Sequence, residues 1–218
     1  MKNRTGFALL AATVVLGTAL SASAAPVTST ITLGKGWNMI TLPTVPLNPD
    51  PLSVLNDLNN LDGIDGNVAR WDPITRSMSS YSELGGDFGN MLIGDGYWVL
   101  KTSVGTLNNN YQGVDVSGDH WISLPRKGWT LMGYPNNTPA NIPVGNCSVT
   151  NGIETKTFDD AVVAGWIADK LQTWDNNTRS MSSVGTDPDF SDDTEIRKGK
   201  GYWFQSLIDN LALIIPGS

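Results

Sequence analysis

The chain has 218 residues, with 14 basic and 21 acidic side chains and a formal net charge of −7. Nucleic-acid binding draws most of its affinity from lysine and arginine contacts to phosphates, so this acidic balance argues against a nucleic-acid partner. The single cysteine, Cys147, excludes an intramolecular disulfide and is interpreted as a small buried residue.

The first 24 residues have the pattern of a secretory signal peptide. Lys2 and Arg4 precede an apolar run, and residues 22–24 (Ala-Ser-Ala) match the small-x-small cleavage pattern. The run covers about 14 residues, fewer than the roughly 20 that span a bilayer. We therefore predict cleavage after Ala24 and export to the extracellular space, the cell surface or the periplasm, with no membrane span.

Three sequence landmarks then occur twice in the same order. The segment Gly36–Pro43 (GWNMITLP) matches Gly128–Pro135 (GWTLMGYP), the segment Trp71–Ser80 matches Trp174–Ser183, and Gly94–Trp98 (GDGYW) matches Gly199–Trp203 (GKGYW). Within the middle landmark the six residues TRSMSS are identical in both copies. We interpret the pattern as an internal duplication, with one module of about 90 residues at 25–118 and the other at 119–218.

Each copy predicts the same elements in chain order. A short strand ends at Pro43 or Pro135, and a helix follows. In the first copy Asp50 can cap this helix, with Pro51 in its first turn. In the second copy Thr157 and Asp160 resemble a capping box. The apolar residues spaced for this second helix are Val162, Val163, Trp166, Ile167 and Leu171.

Two strands that flank a turn come next, through Trp71 or Trp174 and then through the Met-Ser-Ser segment. The Gly-x-Gly turn leads into a last aromatic strand. Glycines between Lys101 and Val116 predict one more hairpin before the second copy begins. The fold class is therefore mainly β, with one short helix per repeat and two tandem modules.

The Gly-Trp-Asn-hydrophobic opening and the Gly-x-Gly-Tyr-Trp close resemble a repeat of secreted and cell-surface bacterial proteins, most of them uncharacterised. The resemblance covers nearly all of the chain after the signal peptide. It implies an extracellular module and supplies no catalytic residues. The second copy departs from the pattern, because Thr130 stands where the first copy has Asn38.

The duplicated aromatic residues have two interpretations. Burial in the core would explain why both copies keep them, whereas exposed rings would form a platform for sugar rings. The duplicated Arg76 and Arg179 either make equivalent hydrogen bonds inside the protein or present a binding edge. We take both arginines as candidate ligand-binding residues, together with Trp121 and Trp166, which lie in the second copy but outside its three repeated landmarks.

An acidic loop is present in the second copy alone. Its carboxylates are Asp187, Asp189, Asp192, Asp193 and Glu195. Calcium prefers six to eight oxygen ligands, so these residues form a candidate calcium site, although their spacing does not match an EF-hand loop. A solvated acidic loop is the alternative, and the sequence indicates no other cofactor.

The leading functional hypothesis is an exported, non-enzymatic structural or adhesion protein that contacts itself or other surface proteins. Self-assembly is one form of it, with the second copy of one molecule contacting the first copy of the next. The first alternative is a carbohydrate-binding module that uses exposed tryptophan faces on a polysaccharide. The second is a hydrolase with an acidic pair, which sequence spacing alone does not identify.

Overall fold

The computed structural model describes residues 25–56, 58, 64, 67–135 and 141–217. The predicted signal peptide lies outside these residues. Strands dominate the described chain and its helices are short, which confirms the prediction of a mainly β protein. The helices of the described part are all too short or too polar to cross a membrane.

The described part of the first module, residues 25–118, consists of short strands and two helices of a single turn. Its strands are β1 (Val27–Leu33), β2 (Gly36–Thr41), β3 (Val45–Pro46), β4 (Val68–Asp72), β5 (Ser77–Ser80), β6 (Gly96–Lys101) and β7 (Leu107–Val114). Its helices are α1 (Pro51–Val54) and α2 (Tyr81–Leu84), and a 3₁₀ turn at Gly85–Phe88 follows α2.

The second module, residues 119–218, is likewise built mainly from short strands. Its strands are β8 (His120–Leu124), β9 (Gly128–Gly133), β10 (Ile142–Pro143), β11 (Ser148–Thr150), β12 (Thr155–Thr157), β13 (Lys170–Asp175), β14 (Ser180–Gly185), β15 (Glu195–Ile196), β16 (Gly201–Ser206) and β17 (Leu211–Ile215). It also contains a 3₁₀ turn at Val144–Asn146 and the helix α3 (Phe158–Val163).

Each module contains a four-stranded antiparallel sheet with the same strand order. The order is β2-β6-β4-β5 in the first module and β9-β16-β13-β14 in the second. The registers also agree, because Thr41 pairs with Gly96 at one end of β2 just as Gly133 pairs with Gly201 at the end of β9. This equivalence of order and register supports the internal duplication that the sequence indicates.

A second sheet in each module covers one face of the first. It has the order β1-β7-β3 in the first module and β12-β11-β17-β8 in the second, where β10 and β15 form a further two-stranded pair. Each module has its own core, to which both of its larger sheets contribute. In the first module, Ile31 and Tyr111 come from the second sheet and Val99 comes from the four-stranded sheet β2-β6-β4-β5. In the second module, Leu213 comes from the sheet that contains β17 and Phe204 from the sheet that contains β16.

The predicted helix starts are confirmed, but both helices are shorter than predicted. The Asp50 side chain accepts a hydrogen bond from the Leu52 amide, and the Thr157 hydroxyl accepts one from the Asp160 amide. In the second module the helix ends at Val163, and Gly165 then adopts a φ of +70°. Trp166 and Ile167 therefore follow the helix, and Leu171 belongs to β13, although all three had apolar spacing that suited a helix.

The predicted hairpin between Lys101 and Val116 is wrong. The segment forms the single strand β7, which lies between β1 and β3. Its partners are distant in the chain, with Leu107 opposite Leu33 and Gly113 opposite Val27. A glycine that local sequence interpretation assigns to a turn lies inside the strand, since Gly113 leaves room for the side chain of Thr44.

Candidate functional site

The six duplicated tryptophans lie on sheet faces that point away from the cores. Trp98 is flanked by Tyr97 and Val99, which point into the core of the first module, so alternation turns the Trp98 ring outward. None of the six rings is buried, and Trp37 and Trp129 expose 41% and 42% of their surface. Of the two interpretations of these rings, burial in the core is therefore wrong, because the repeat pattern does not reveal which face of a strand is covered.

The two four-stranded sheets contact each other across the module boundary through equivalent residues. The Thr41 amide donates to the Gly199 carbonyl over 3.2 Å, and the Gly133 amide donates to the Gly94 carbonyl over 2.9 Å. Thr41 is equivalent to Gly133, and Gly94 to Gly199. The contact is therefore reciprocal, as in an approximate two-fold arrangement in which both modules use the same surface.

The second glycine of each Gly-x-Gly motif is required by this contact. A methyl group at Gly96 would lie 2.7 Å from the Leu131 Cγ atom, and one at Gly201 would lie 2.9 Å from the Met39 Cγ atom. Leu131 and Met39 are nearly buried although they belong to the outer sheet faces. The first glycine of each motif has a positive φ, which the turn before the strand requires.

The tyrosine of each motif anchors the preceding loop from inside the core. The Tyr97 hydroxyl accepts a hydrogen bond of 2.7 Å from the Leu92 amide, and the Tyr202 hydroxyl accepts one of 2.7 Å from the Arg197 amide. Burial raises the pKa of both phenols above the ordinary tyrosine value, so both stay protonated. The motif thus combines a turn, a close contact, a core anchor and an outward ring.

The outward rings pack edge to face in two matching sets. The pairs that cross the module boundary are Trp71–Trp203 at 5.4 Å and Trp98–Trp174 at 5.7 Å between ring centroids. The pairs within a module are Trp37–Trp98 at 6.1 Å and Trp129–Trp203 at 6.5 Å. Each such pair contributes roughly 0.5 to 1.5 kcal/mol beyond the area that it buries.

Two apolar grooves remain beside these ring sets, and equivalent residues line them. Groove A has a volume of about 280 Å³ and is lined by Trp37, Ala69, Met78, Trp98 and Trp174. Groove B has a volume of about 310 Å³ and is lined by Trp71, Trp129, Gln172, Met181 and Trp203. Each groove takes two of its tryptophans from one module and the third from the other, so it depends on the contact between them.

The identical TRSMSS segments complete the hairpin turns beside these grooves and begin the strand that follows each turn. In the first module the Asp72 carboxylate accepts a hydrogen bond of 2.8 Å from the Ile74 amide, and in the second module Asp175 accepts one of 2.8 Å from the Asn177 amide. These bonds hold the pKa of both aspartates below the ordinary value. Both hairpins therefore use the same turn chemistry, to which the identical segment adds a 2.8 Å hydrogen bond between the hydroxyl groups of Thr75 and Ser77 in one copy and of Thr178 and Ser180 in the other.

The arginine of this segment differs in its use between the copies. Arg76 and Arg179 both adopt a positive φ, of 55° and 54°. The Arg76 guanidinium donates over 3.0 Å to the Lys127 carbonyl of the other module, whereas the predicted equivalent bond is not formed by Arg179 within the described residues. Arg179 instead lines an open polar cleft next to groove A. Met78 and Met181 belong to the same segment and line the grooves, although no sequence pattern marks either methionine as a binding residue.

The polar cleft is named for the charged and amide side chains at its border. It adjoins groove A and shares the rings of Trp37 and Trp174 with it. It has a volume of about 360 Å³ and is lined by Lys35, Gly36, Trp37, Leu100, Lys101, Thr102, Trp174, Asn176 and Arg179. The Asn176 amide nitrogen donates to the Trp37 carbonyl over 3.0 Å and to the Asn38 side-chain oxygen over 2.7 Å. Asn176 therefore connects the modules at the border between cleft and groove.

Trp121 and Trp166, the tryptophans outside the repeated landmarks, line neither groove. Trp121 is on β8, at the edge of its sheet, and exposes 63% of its surface. Trp166 belongs to the core of the second module and exposes 9%. The Lys156 ammonium lies 4.9 Å from the centre of the Trp166 ring, so little of this ring is left for a ligand.

The acidic loop uses several of its carboxylates for internal bonds. Asp192 accepts hydrogen bonds from the Ser183 amide and hydroxyl, and Asp193 forms an ion pair of 2.7 Å with Arg197. The Asp187 carboxylate accepts from the Asp189 amide, and the Glu195 carboxylate accepts from the Asn141 side chain. Within the described ranges the acids, histidine and cysteine form no group of three arranged to hold a metal, and calcium binding stays a prediction.

Cys147 and His120 are both structural residues of the second module. Cys147 is buried in the core, and burial raises the pKa of its thiol to about 12. His120 is buried in β8, where its ring packs edge to face against Tyr134 at 5.7 Å, and burial lowers its pKa. A thiol that stays protonated at neutral pH is a weak nucleophile.

Comparisons with known protein families, with curated proteins and with solved structures found no match to this chain. The resemblance to secreted tryptophan repeats therefore stays a prediction.

Proposed function

We propose that this protein is an exported, non-enzymatic adhesion protein that binds polysaccharide in its two tryptophan-lined grooves. The observation that carries the proposal is the partial exposure of three tryptophans and a methionine in each groove. The rings and the methionine of each groove are contiguous, whereas the exposed apolar side chains of an ordinary protein surface are scattered singly. Indole and thioether groups exchange no proton near neutral pH, so this lining suits binding rather than catalysis.

A sugar ring matches the chemistry of groove A and its border. One face of a pyranose presents C–H groups that stack on an indole, while the hydroxyl groups at its rim need hydrogen-bond partners. Trp37 offers an exposed ring face, and the adjoining cleft offers the ammonium group of Lys35 and the side-chain oxygen of Asn176.

The reciprocal contact between modules bears on the self-assembly hypothesis. A contact that uses the same surface on both partners closes on itself, whereas a filament needs a contact between two different surfaces. The sheet faces around Met39 and Leu131 already cover each other within one molecule. Assembly by repetition of this contact is therefore disfavoured, and a filament would need another surface.

The test is binding of the protein without its signal peptide to a panel of soluble and insoluble polysaccharides, with tryptophan fluorescence and co-sedimentation as readouts. We expect Trp37→Ala to weaken binding at groove A and Trp129→Ala to weaken it at groove B, each on the order of tenfold. Trp121→Ala is the matched control, because this ring is exposed but lies outside both grooves.

Failure of every polysaccharide to bind would overturn the proposal, as would an equal loss of binding in the Trp121→Ala variant. Release of reducing sugar from a bound polymer would instead favour the hydrolase hypothesis. Circular dichroism of each variant checks that the sheets are intact.

A further inference from the structure

Groove A and the polar cleft form one continuous surface, because Trp37 and Trp174 line both. An occupant of groove A therefore places its polar edge beside Lys35 and Arg179, which line the cleft. Both are long cationic side chains, and neither forms an ion pair with a described residue. Their charge is available to a ligand.

The charge of this surface is opposite to that of the whole chain. Lys35 and Arg179 also line a larger space of about 590 Å³ that shares Trp174 with the cleft, together with Lys200 and a single acid, Asp175. The Asp175 carboxylate accepts a hydrogen bond from the Asn177 amide of its own turn. In a chain with a net charge of −7 this is a local positive surface, and it attracts an anionic ligand group.

Groove B differs at the equivalent positions. Pro73 and Ile74 stand where the second copy has Asn176 and Asn177. The Arg76 guanidinium is bound to the Lys127 carbonyl, and the Asp209 carboxylate accepts a hydrogen bond of 2.7 Å from the Lys127 amide. Asp209 lies in the loop that follows β16, and the corresponding loop of the first module, residues 102–106 after β6, contains no acidic residue. Groove B thus has an additional acid beside its cations and an arginine held by the other module, so groove A has the more open cationic border.

We propose that groove A and the polar cleft bind a carboxylated sugar, a uronate residue of an acidic polysaccharide, with Lys35 and Arg179 holding its carboxylate. This inference rests on the proposed polysaccharide binding and assigns its ligand class. The planar guanidinium fork of arginine matches a carboxylate with two parallel hydrogen bonds, and lysine adds a point charge. The sugar ring stacks on Trp37, and groove B accepts a neutral unit of the same polymer.

The experiment compares an oligogalacturonate with its methyl ester, which has the same rings without the charge. Isothermal titration at low and high salt measures the affinity of the wild-type protein and of the variants Lys35→Gln and Arg179→Gln. Lys127→Gln is the matched control, because Lys127 occupies the position of Lys35 in the other module. We expect the acid to bind more tightly than the ester at low salt, with the difference reduced at high salt.

Each cleft variant should weaken binding of the acid about three- to tenfold and leave binding of the ester unchanged. Lys127→Gln should change neither. Equal affinity of the acid and the ester, or an equal loss in the Lys127→Gln variant, overturns the uronate assignment but leaves the proposed function standing. If neither oligosaccharide nor any neutral polymer binds, the proposed function fails and this inference with it.

Discussion

The contact between the modules requires glycine at positions 96 and 201, because a side chain at either position would collide with the other module. Gly96 begins β6 and Gly201 begins β16, and at each point a side chain of the other module lies against the backbone. A Cβ atom at Gly201 would also lie 2.9 Å from the Ile40 carbonyl oxygen. A backbone oxygen cannot move aside as a flexible side chain does, so the close approach requires glycine.

We expect Gly201→Ala to lower the free energy of unfolding by about 1 to 3 kcal/mol, because the added methyl group overpacks the module boundary. The measurement is urea denaturation followed by tryptophan fluorescence. Gly86→Ala is the matched control, since Gly86 is exposed and a methyl group there meets no atom within 4 Å. Its free energy of unfolding should change by less than about 0.5 kcal/mol. Equal stability of the two variants would contradict the close-contact account.

At the scale of the elements, the turns before β2 and β9 both end at a glycine with a positive φ, Gly36 or Gly128, but their hydrogen bonds differ. In the first module the Asn38 side chain accepts from the Gly34 amide and donates to the Gly34 and Gly36 carbonyls, each over 2.9 Å. The second module has Thr130 at this position, and the Ser206 hydroxyl donates to the Gly128 carbonyl instead. The Thr130 hydroxyl is buried without a hydrogen-bond partner among the described residues.

Substitutions at the equivalent positions Asn38 and Thr130 should therefore change the free energy of unfolding in opposite directions. Asn38→Ala leaves several backbone groups unpaired and should lower the free energy of unfolding by about 2 to 3 kcal/mol. Thr130→Val removes an unpaired buried hydroxyl at nearly constant volume and should raise it by up to about 1 kcal/mol. Thermal and urea unfolding of both variants tests this. Destabilisation by Thr130→Val would show that its hydroxyl has a partner after all.

Local signals predicted these elements better than they predicted the site. The helix starts at Asp50 and Thr157 depend on residues a few positions apart, so sequence spacing is enough to identify them. The role of the tryptophans depends on register and on what covers each sheet face, which are non-local. The pairing of β7 with β1 likewise joins residues about 80 positions apart, such as Asn110 and Thr30.

At the scale of the whole molecule, each module has its own core but leaves one sheet face for the other module to cover. The boundary contains the reciprocal hydrogen bonds of Thr41 and Gly133 and two edge-to-face tryptophan pairs. Separation of the modules would expose these rings and both nearly buried side chains, Met39 and Leu131. The modules should therefore unfold as one cooperative unit, although their strands pair within each half.

Cys147 provides a direct test of this coupling, because it is a buried thiol in the core of the second module alone. Burial raises the pKa of the thiol to about 12, so labelling by a thiol reagent near pH 8 requires an opening that restores the ordinary pKa. Ile31→Ala creates a cavity in the core of the first module and should cost about 2 to 4 kcal/mol.

If the modules unfold together, this substitution should accelerate Cys147 labelling by about thirtyfold to a thousandfold, which is the same free energy expressed as a rate ratio. Val104→Ala is the matched control, since this side chain is exposed in the same module and should leave the labelling rate unchanged. An unchanged rate in the Ile31→Ala variant, with the first module visibly destabilised by circular dichroism, would show two independent modules. Both grooves would then depend on a contact that opens without unfolding, because each takes one tryptophan from the opposite module.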